Sequence, residues 1–184
     1  SEHLSLLAAP SMLDRAYDFD HAAFQPVMEV LQRAAPVTVL DVPHAWNEWT
    51  RNVLASADEV VITAAPDLAN LRNTKNMLDA LRTLRPNDEA PHIVLNQVGV
   101  PKRPEISPAD FCEPLETDPV AIITFDAQLF GNAANSGRMI SELDAKSPTA
   151  ETFSQLAHLI TGRATMKKPK RAGIGKVLGL LARK

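Results

Sequence analysis

The chain has 184 residues, of which 45% are apolar and 22% charged, with a net charge of -3. That composition supports one globular domain with a sizeable core and excludes a disordered chain. No apolar run reaches the roughly 18 to 20 residues needed to cross a bilayer, and no basic-then-apolar leader opens the sequence, so the expected location is cytoplasmic. The single Cys112 cannot form an internal disulfide and is expected as a buried thiol.

Taken in chain order, five apolar runs of strand length occur, at 4–9, 37–42, 59–64, 93–98 and 120–125. Most are rich in Val and Ile and read as continuously buried, the pattern of a parallel sheet rather than of a half-solvated one. Helical spacing lies between them. Phe24, Val27, Met28 and Leu31 make one stripe, and Leu71, Leu78 and Leu81, with Met77 and Leu84, make a second that opens at Pro66-Asp67 and closes before Pro86. Pro101, Pro104 and Pro108 predict an exposed loop over 99–108, followed by a short helix over 109–115. The stretch 131–147, rich in small and amide residues, is expected to be irregular. A last helix over 150–161 presents Phe153, Leu156, Ala157 and Ile160 to the core and ends at Gly162. Strands alternating with helices predict a layered α/β domain with a mostly parallel sheet and flanking helices. That domain is expected over 1–163, with a tail over 164–184.

The tail carries its own signal. From Arg163 onward there are eight basic residues and no acidic ones, which leaves eleven basic against 22 acidic residues before it. Ile174, Val177, Leu178 and Leu181 fall on one helical stripe, with Lys176 and Arg183 opposite. This suits a short helix lying on an anionic membrane surface, at about 1 kcal/mol for each basic residue. A docking helix for a protein partner and a purely solvated tail are the alternatives. Binding of nucleic acid is disfavoured by the acidic body and the lack of interleaved aromatics.

Two of the predicted strands stop at a polar side chain, Asp41 and Asn96. Ligands of open parallel sheets sit beyond the carboxyl ends of strands, so both are candidate site residues, expected to face a common crevice. Asp41 suits a carboxylate that holds Mg²⁺ or its water, or else one that caps the following turn. Asn96 offers a donor and an acceptor, for reading a base edge or for tying loops together. His44 and Glu48 share a helical spacing but lack a third ligand, so no direct metal site is expected. There is no nucleophile elbow, no Cys/His pair with a supporting acid and no glycine-rich phosphate loop. Independent catalysis is therefore not expected.

Several stretches carry a family resemblance. They are Val39-Leu-Asp-Val-Pro-His-Ala-Trp46, Ser56-Ala-Asp-Glu-Val-Val61, Ala65-Pro-Asp-Leu-Ala-Asn-Leu-Arg-Asn73, Val94-Leu-Asn-Gln-Val98, Lys102-Arg-Pro-Glu-Ile106 and Phe125-Asp-Ala-Gln-Leu-Phe-Gly131 with Ala133-Ala-Asn135. In this order they resemble the C-terminal part of the ATPase-like domain of the ParA/MinD group of P-loop proteins. Within it the likeness is to the CpaE/TadZ-type proteins of tight-adherence (Flp, type IVb) pilus assembly. The resemblance implies a dimer-forming, polar-localised scaffold of the secretion machinery, with ATP and Mg bound by the complete protein. By position it makes Asp41 the Walker-B-like acid, Asn96 the adenine contact and Thr124, Phe125 and Asp126 the strand end beside the adenine. It puts Pro66, Asp67, Leu68, Arg72 and Asn73 near a dimer or partner surface, while Lys176, Val177, Leu178 and Leu181 lie beyond the stretch it covers and belong to the membrane or partner tail that stripe and charge predict.

Two departures accompany it. His44 stands where typical members have the switch-II glycine, and the Walker A lysine loop with its strand and helix is missing. The chain is accordingly expected to be a piece of a longer protein, inactive alone and without tight ATP binding. A membrane-cycling ATPase like MinD and a partitioning ATPase are the rival functions.

Overall fold

The structure, a computed structural model, describes residues 4–8 and 21–162. The chain divides into two compact units, one reaching to Asp58 and one beginning at Glu59.

The described part of the first unit is helical. Helix α1 (His21–Ala34) and helix α2 (Glu48–Ser56) pack together. The rings of Phe24 and Trp49 meet edge to face, 5.1 Å between centroids. Asn47 caps α2, its side chain accepting from the Thr50 N–H at 2.8 Å, which satisfies one of the donors a helix start leaves open. Residues 4–8 and 37–42, both expected as strands, form no strand here. Leu6 is 89% and Val39 85% exposed. An apolar run can pair, but it becomes a strand only where a neighbour offers partners for its N–H and C=O groups.

The second unit is the α/β layer the alternation predicts. Strands β1 (Val61–Ala64), β2 (His92–Val98) and β3 (Ala121–Thr124) form a parallel sheet in the order β1-β2-β3. The central strand is buried throughout its middle, with Ile93, Val94 and Leu95 at 1%, 2% and 0% exposure. Helix α3 (Leu68–Leu84) packs on β1 and buries Leu78 and Leu81. After β2, the short helix α4 (Pro108–Cys112) and a 3-10 turn (Glu113–Leu115) bury Phe111, Cys112 and Leu115. Helix α5 (Ala127–Ser136), α6 (Ile140–Leu143) and α7 (Pro148–Ile160) follow β3. Val94, Ala121 and Ile123 form a core cluster against which Val120, Phe130 of α5 and Leu156 of α7 pack.

Two expectations within this unit are corrected. Most of 131–147 is helical: α5 starts on its Asp126 cap and stops at Gly137, whose φ of +62° lets its N–H close onto Ala133 and Ala134. The alanines and amides there are compatible with a helix once both ends are capped. In α7 the stripe is narrower than expected, since Leu156 packs inward while Phe153 is 40% exposed and Ala157 is exposed as well. Gly162, with φ +65°, ends α7 as the sequence predicts.

Candidate nucleoside-base cleft

Strand β2 does not end plainly. Leu95 pairs with Ile122 and Val98 with Thr124, so Asn96 and Gln97 together oppose the single Ile123, which is a bulge. Gln97 sits at φ +56°, a left-handed conformation unusual for a residue with a Cβ. The Gln97 N–H donates to Oδ1 of Asn96 at 2.8 Å. An amide oxygen held by a backbone donor leaves Nδ2 as the end with hydrogens to offer. Asn96 therefore does tie the local chain together, yet keeps a donor for something else.

Strand β3 ends beside it. The Phe125 N–H donates to the Val98 carbonyl at 2.8 Å, which binds the two strand ends together. Asp126 then caps α5, its Oδ1 accepting from the Leu129 N–H at 2.9 Å. Between these ends lies a cleft of about 180 Å³ lined by Asn96, Gln97, Thr124, Phe125, Asp126, Ala127 and Phe130. Phe125 is 41% exposed, so part of its ring is open to solvent. Four residues singled out from the sequence, Asn96, Thr124, Phe125 and Asp126, thus line one cleft at the carboxyl ends of adjacent parallel strands. The other three, Gln97, Ala127 and Phe130, are not singled out from the sequence. Phe130 follows from helical spacing, one turn beyond Asp126, whereas the bulge at Gln97 leaves no mark in composition or periodicity.

The volume suits one flat heterocycle rather than a whole nucleotide, being below the roughly 300 Å³ of ordinary small-molecule pockets. An aromatic face and an amide donor are suitable partners for a base. Among the described residues, no three His, Cys, Asp or Glu side chains converge as a metal site. Asp41 lies in the first unit, in exposed irregular chain rather than at the end of a strand.

The residues expected at a dimer or partner surface begin α3. Pro66 is fully buried, and its carbonyl accepts from the Ile106 N–H at 2.9 Å, joining this turn to the loop after β2. Asp67 caps the helix, accepting from Asn70 N–H at 2.8 Å and from Asn70 Nδ2 at 2.9 Å. Leu68 is 74% exposed, and Arg72 and Asn73 are exposed as well. Residues 176–181 of the tail lie outside the described residues.

The Asn70 backbone N–H chiefly holds the Asp67 carboxyl below its ordinary value of 3.8. The Gly99 N–H chiefly does the same for Glu105, below 4.5. A folded-state pKa that is depressed contributes stability present above the unfolded value and lost as pH falls through the folded one. Stability should therefore be lost on acidification through and below the ordinary carboxylate range, as these two groups protonate. Asp67→Ala is expected to cost about 1 kcal/mol at neutral pH and to shrink that pH dependence, read by denaturant titration between pH 7 and 3. An unchanged acid limb would show that the cap contributes nothing.

Solved structures place this architecture. A ParA family ATPase from Chlorobium tepidum TLS superposes with a TM-score of 0.69 at 17% identity, over 81% of this chain and 61% of that one. The chain has the ParA/MinD fold. The Aquifex aeolicus MinC:MinD cell division protein complex gives 0.66 at 17% identity, over 82% of this chain and 62% of that one. The Pyrococcus furiosus cell division ATPase MinD gives 0.65 at 21% identity, over 79% and 60%. The chain thus spans about three-fifths of the length of each ParA/MinD structure named here. No protein-family model and no curated protein matches it. Among the described residues no helix is long and apolar enough to cross a membrane.

Proposed function

We propose that this chain is part of a ParA/MinD-like localisation and scaffolding module of the CpaE/TadZ type, serving the assembly and secretion machinery of a pilus. On this reading, the cleft at Asn96 and Phe125 is the base-binding end of a nucleotide site. The observation that carries it is the convergence of Asn96, Thr124, Phe125 and Asp126 at the ends of β2 and β3, where parallel sheets hold their ligands. The motifs of the pilus branch support the finer assignment: Pro66 to Asn73 and Lys102 to Ile106 adjoin through the Ile106–Pro66 hydrogen bond.

In the complete protein the cofactors would be ATP and Mg. Asp41 would hold the cation through a water, and the cation would neutralise phosphate charge. This sequence has no glycine-rich lysine loop, so the reading assigns the grip on the phosphates to residues outside these 184. The isolated chain is then inactive toward ATP. The exposed start of α3, with Leu68, Arg72 and Asn73, is its surface for a second copy or a machinery protein. The basic tail would supply peripheral contact with the inner face of the membrane.

A second reading, an ATPase cycling between membrane and cytosol, is favoured by the fold it shares with MinD. ATP turnover by a longer chain, abolished by Asp41→Ala, would select it. The base-site reading itself is tested with adenosine, which needs no phosphate grip. Equilibrium dialysis should show retention by this chain, weakened about tenfold by Asn96→Ala. Equal retention by both forms would remove Asn96 from the site, and no retention would remove the site.

A further inference from the structure

The bulge that aims Asn96 is held from outside the cleft. Arg103 donates through Nη1 to Oε1 of Gln97 at 3.2 Å and through Nη2 to the Gln97 carbonyl. Its guanidinium is fixed in turn by Glu105, with Nε and Nη2 at 3.2 and 2.9 Å from Oε1. Glu105 also accepts the N–H groups of Gly99, at 2.9 Å, and Val100, at 3.0 Å, so the carboxylate is anchored in the backbone of the loop. The ion pair is sheltered, with the side chains 27% and 17% exposed.

A non-glycine residue in the left-handed region persists only where its surroundings over-determine it. Here two guanidinium hydrogen bonds supply that constraint, one to the main chain and one to the side chain of the same residue. The guanidinium is suited to the task because its donors are fixed in a plane, whereas a lysine ammonium is a point donor on a flexible stem. Gln97 in turn fixes Asn96, since its N–H holds Oδ1. A connected path thus runs from Glu105 through Arg103 and Gln97 to Asn96, which lines the cleft.

We propose that Arg103 is a positioning residue for the cleft: held by Glu105, it locks Gln97 in its bulge and so presents the Nδ2 donor of Asn96 to a ring-nitrogen acceptor of a nucleoside base. The inference rests on the base-site reading above and adds to it a residue that touches no ligand. Because Oδ1 is engaged, recognition comes from the donor end, and the guanidinium, not the amide alone, sets its direction.

The test is equilibrium dialysis of the full chain against adenosine with Arg103→Ala, Arg103→Lys, Asn96→Ala and the Asn96→Ala/Arg103→Ala double variant. Arg103→Ala and Arg103→Lys should each weaken retention about tenfold. The double variant should bind no more weakly than Asn96→Ala alone, because residues acting through one another are not additive. Amide exchange supplies the second readout. The Gln97 N–H should exchange at least tenfold faster in Arg103→Lys, with Ile93 to Leu95 as protected as before.

Binding by Arg103→Lys within twofold of the parent, additive losses in the double variant, or an unchanged Gln97 exchange rate would each overturn the proposal while leaving the base site intact. No retention by the parent chain would overturn both. Arg103→Lys keeps the charge beside Glu105, so it decides the matter even where Arg103→Ala fails to fold.

Discussion

Phe111→Ala is expected to lower the unfolding free energy of the second unit by about 3–5 kcal/mol, as measured by urea titration. The side chain is 0% exposed on a helix of five residues. A helix that short has no stability of its own, so tertiary burial must hold it. Ser107 caps it with a hydrogen bond to the Asp110 N–H at 3.1 Å, and Phe111 and Leu115, at 0% exposure, and Cys112, at 5%, anchor it to the core. Domains are stable by only about 5–15 kcal/mol, so this loss would consume a large part of the total. Phe111→Leu, which keeps most of the volume, should cost less than about 1.5 kcal/mol. A loss below 1 kcal/mol for Phe111→Ala would mean that this aromatic ring does not lie in the core.

Cys112 should resist alkylation about 100-fold or more in the folded chain relative to the unfolded one at pH 8. Burial, helped by the nearby Asp118 carboxylate, pushes its thiol from 9.0 up to about 11. The thiolate is the reactive form, and two pH units remove about a hundredfold of it. At 5% exposure the sulfur is also shielded from reagent. The same reaction reports on the preceding residue, since Phe111→Ala should raise the alkylation rate by opening the site. Modification of native protein at the rate of a free thiol would contradict the burial.

Much of this arrangement could be read in the residues. Strands β1, β2 and β3 were legible because each is a compact Val/Ile-rich run between turn signals, buried on both faces in β2. Helix α3 was legible from its leucine spacing and from the Pro66-Asp67 start. The run at 37–42 is similarly rich in Val and that at 4–9 is built of Leu, Ala and Ser, yet residues 4–8 and 37–42 form no strand. Strand propensity describes what a segment tolerates, and pairing depends on a partner elsewhere in the chain.

Asn96, Thr124, Phe125 and Asp126 were placed together through the ends of β2 and β3. Asp126 also serves as a helix cap, a purely structural duty that the same residue type would signal. The role of Gln97 could not be seen, because a bulge is set by hydrogen bonds to Arg103 rather than by any preference of glutamine. Lys102-Arg-Pro-Glu-Ile106 stood out as a motif, but its physical content, a carboxylate gathering two backbone donors and a guanidinium, emerged only in three dimensions.

The central claim is that the gap between the ends of β2 and β3 receives a nucleoside base, and mapping adenosine onto the chain by NMR tests it most directly. Titration of the ¹⁵N-labelled protein should shift the Asn96 side-chain amide and the backbone signals of Gln97 and of Thr124 to Phe130, leaving the signals of α3 and α7 in place. Saturating adenosine that moves none of these signals, or moves only signals far from Asn96 and Phe125, would contradict it.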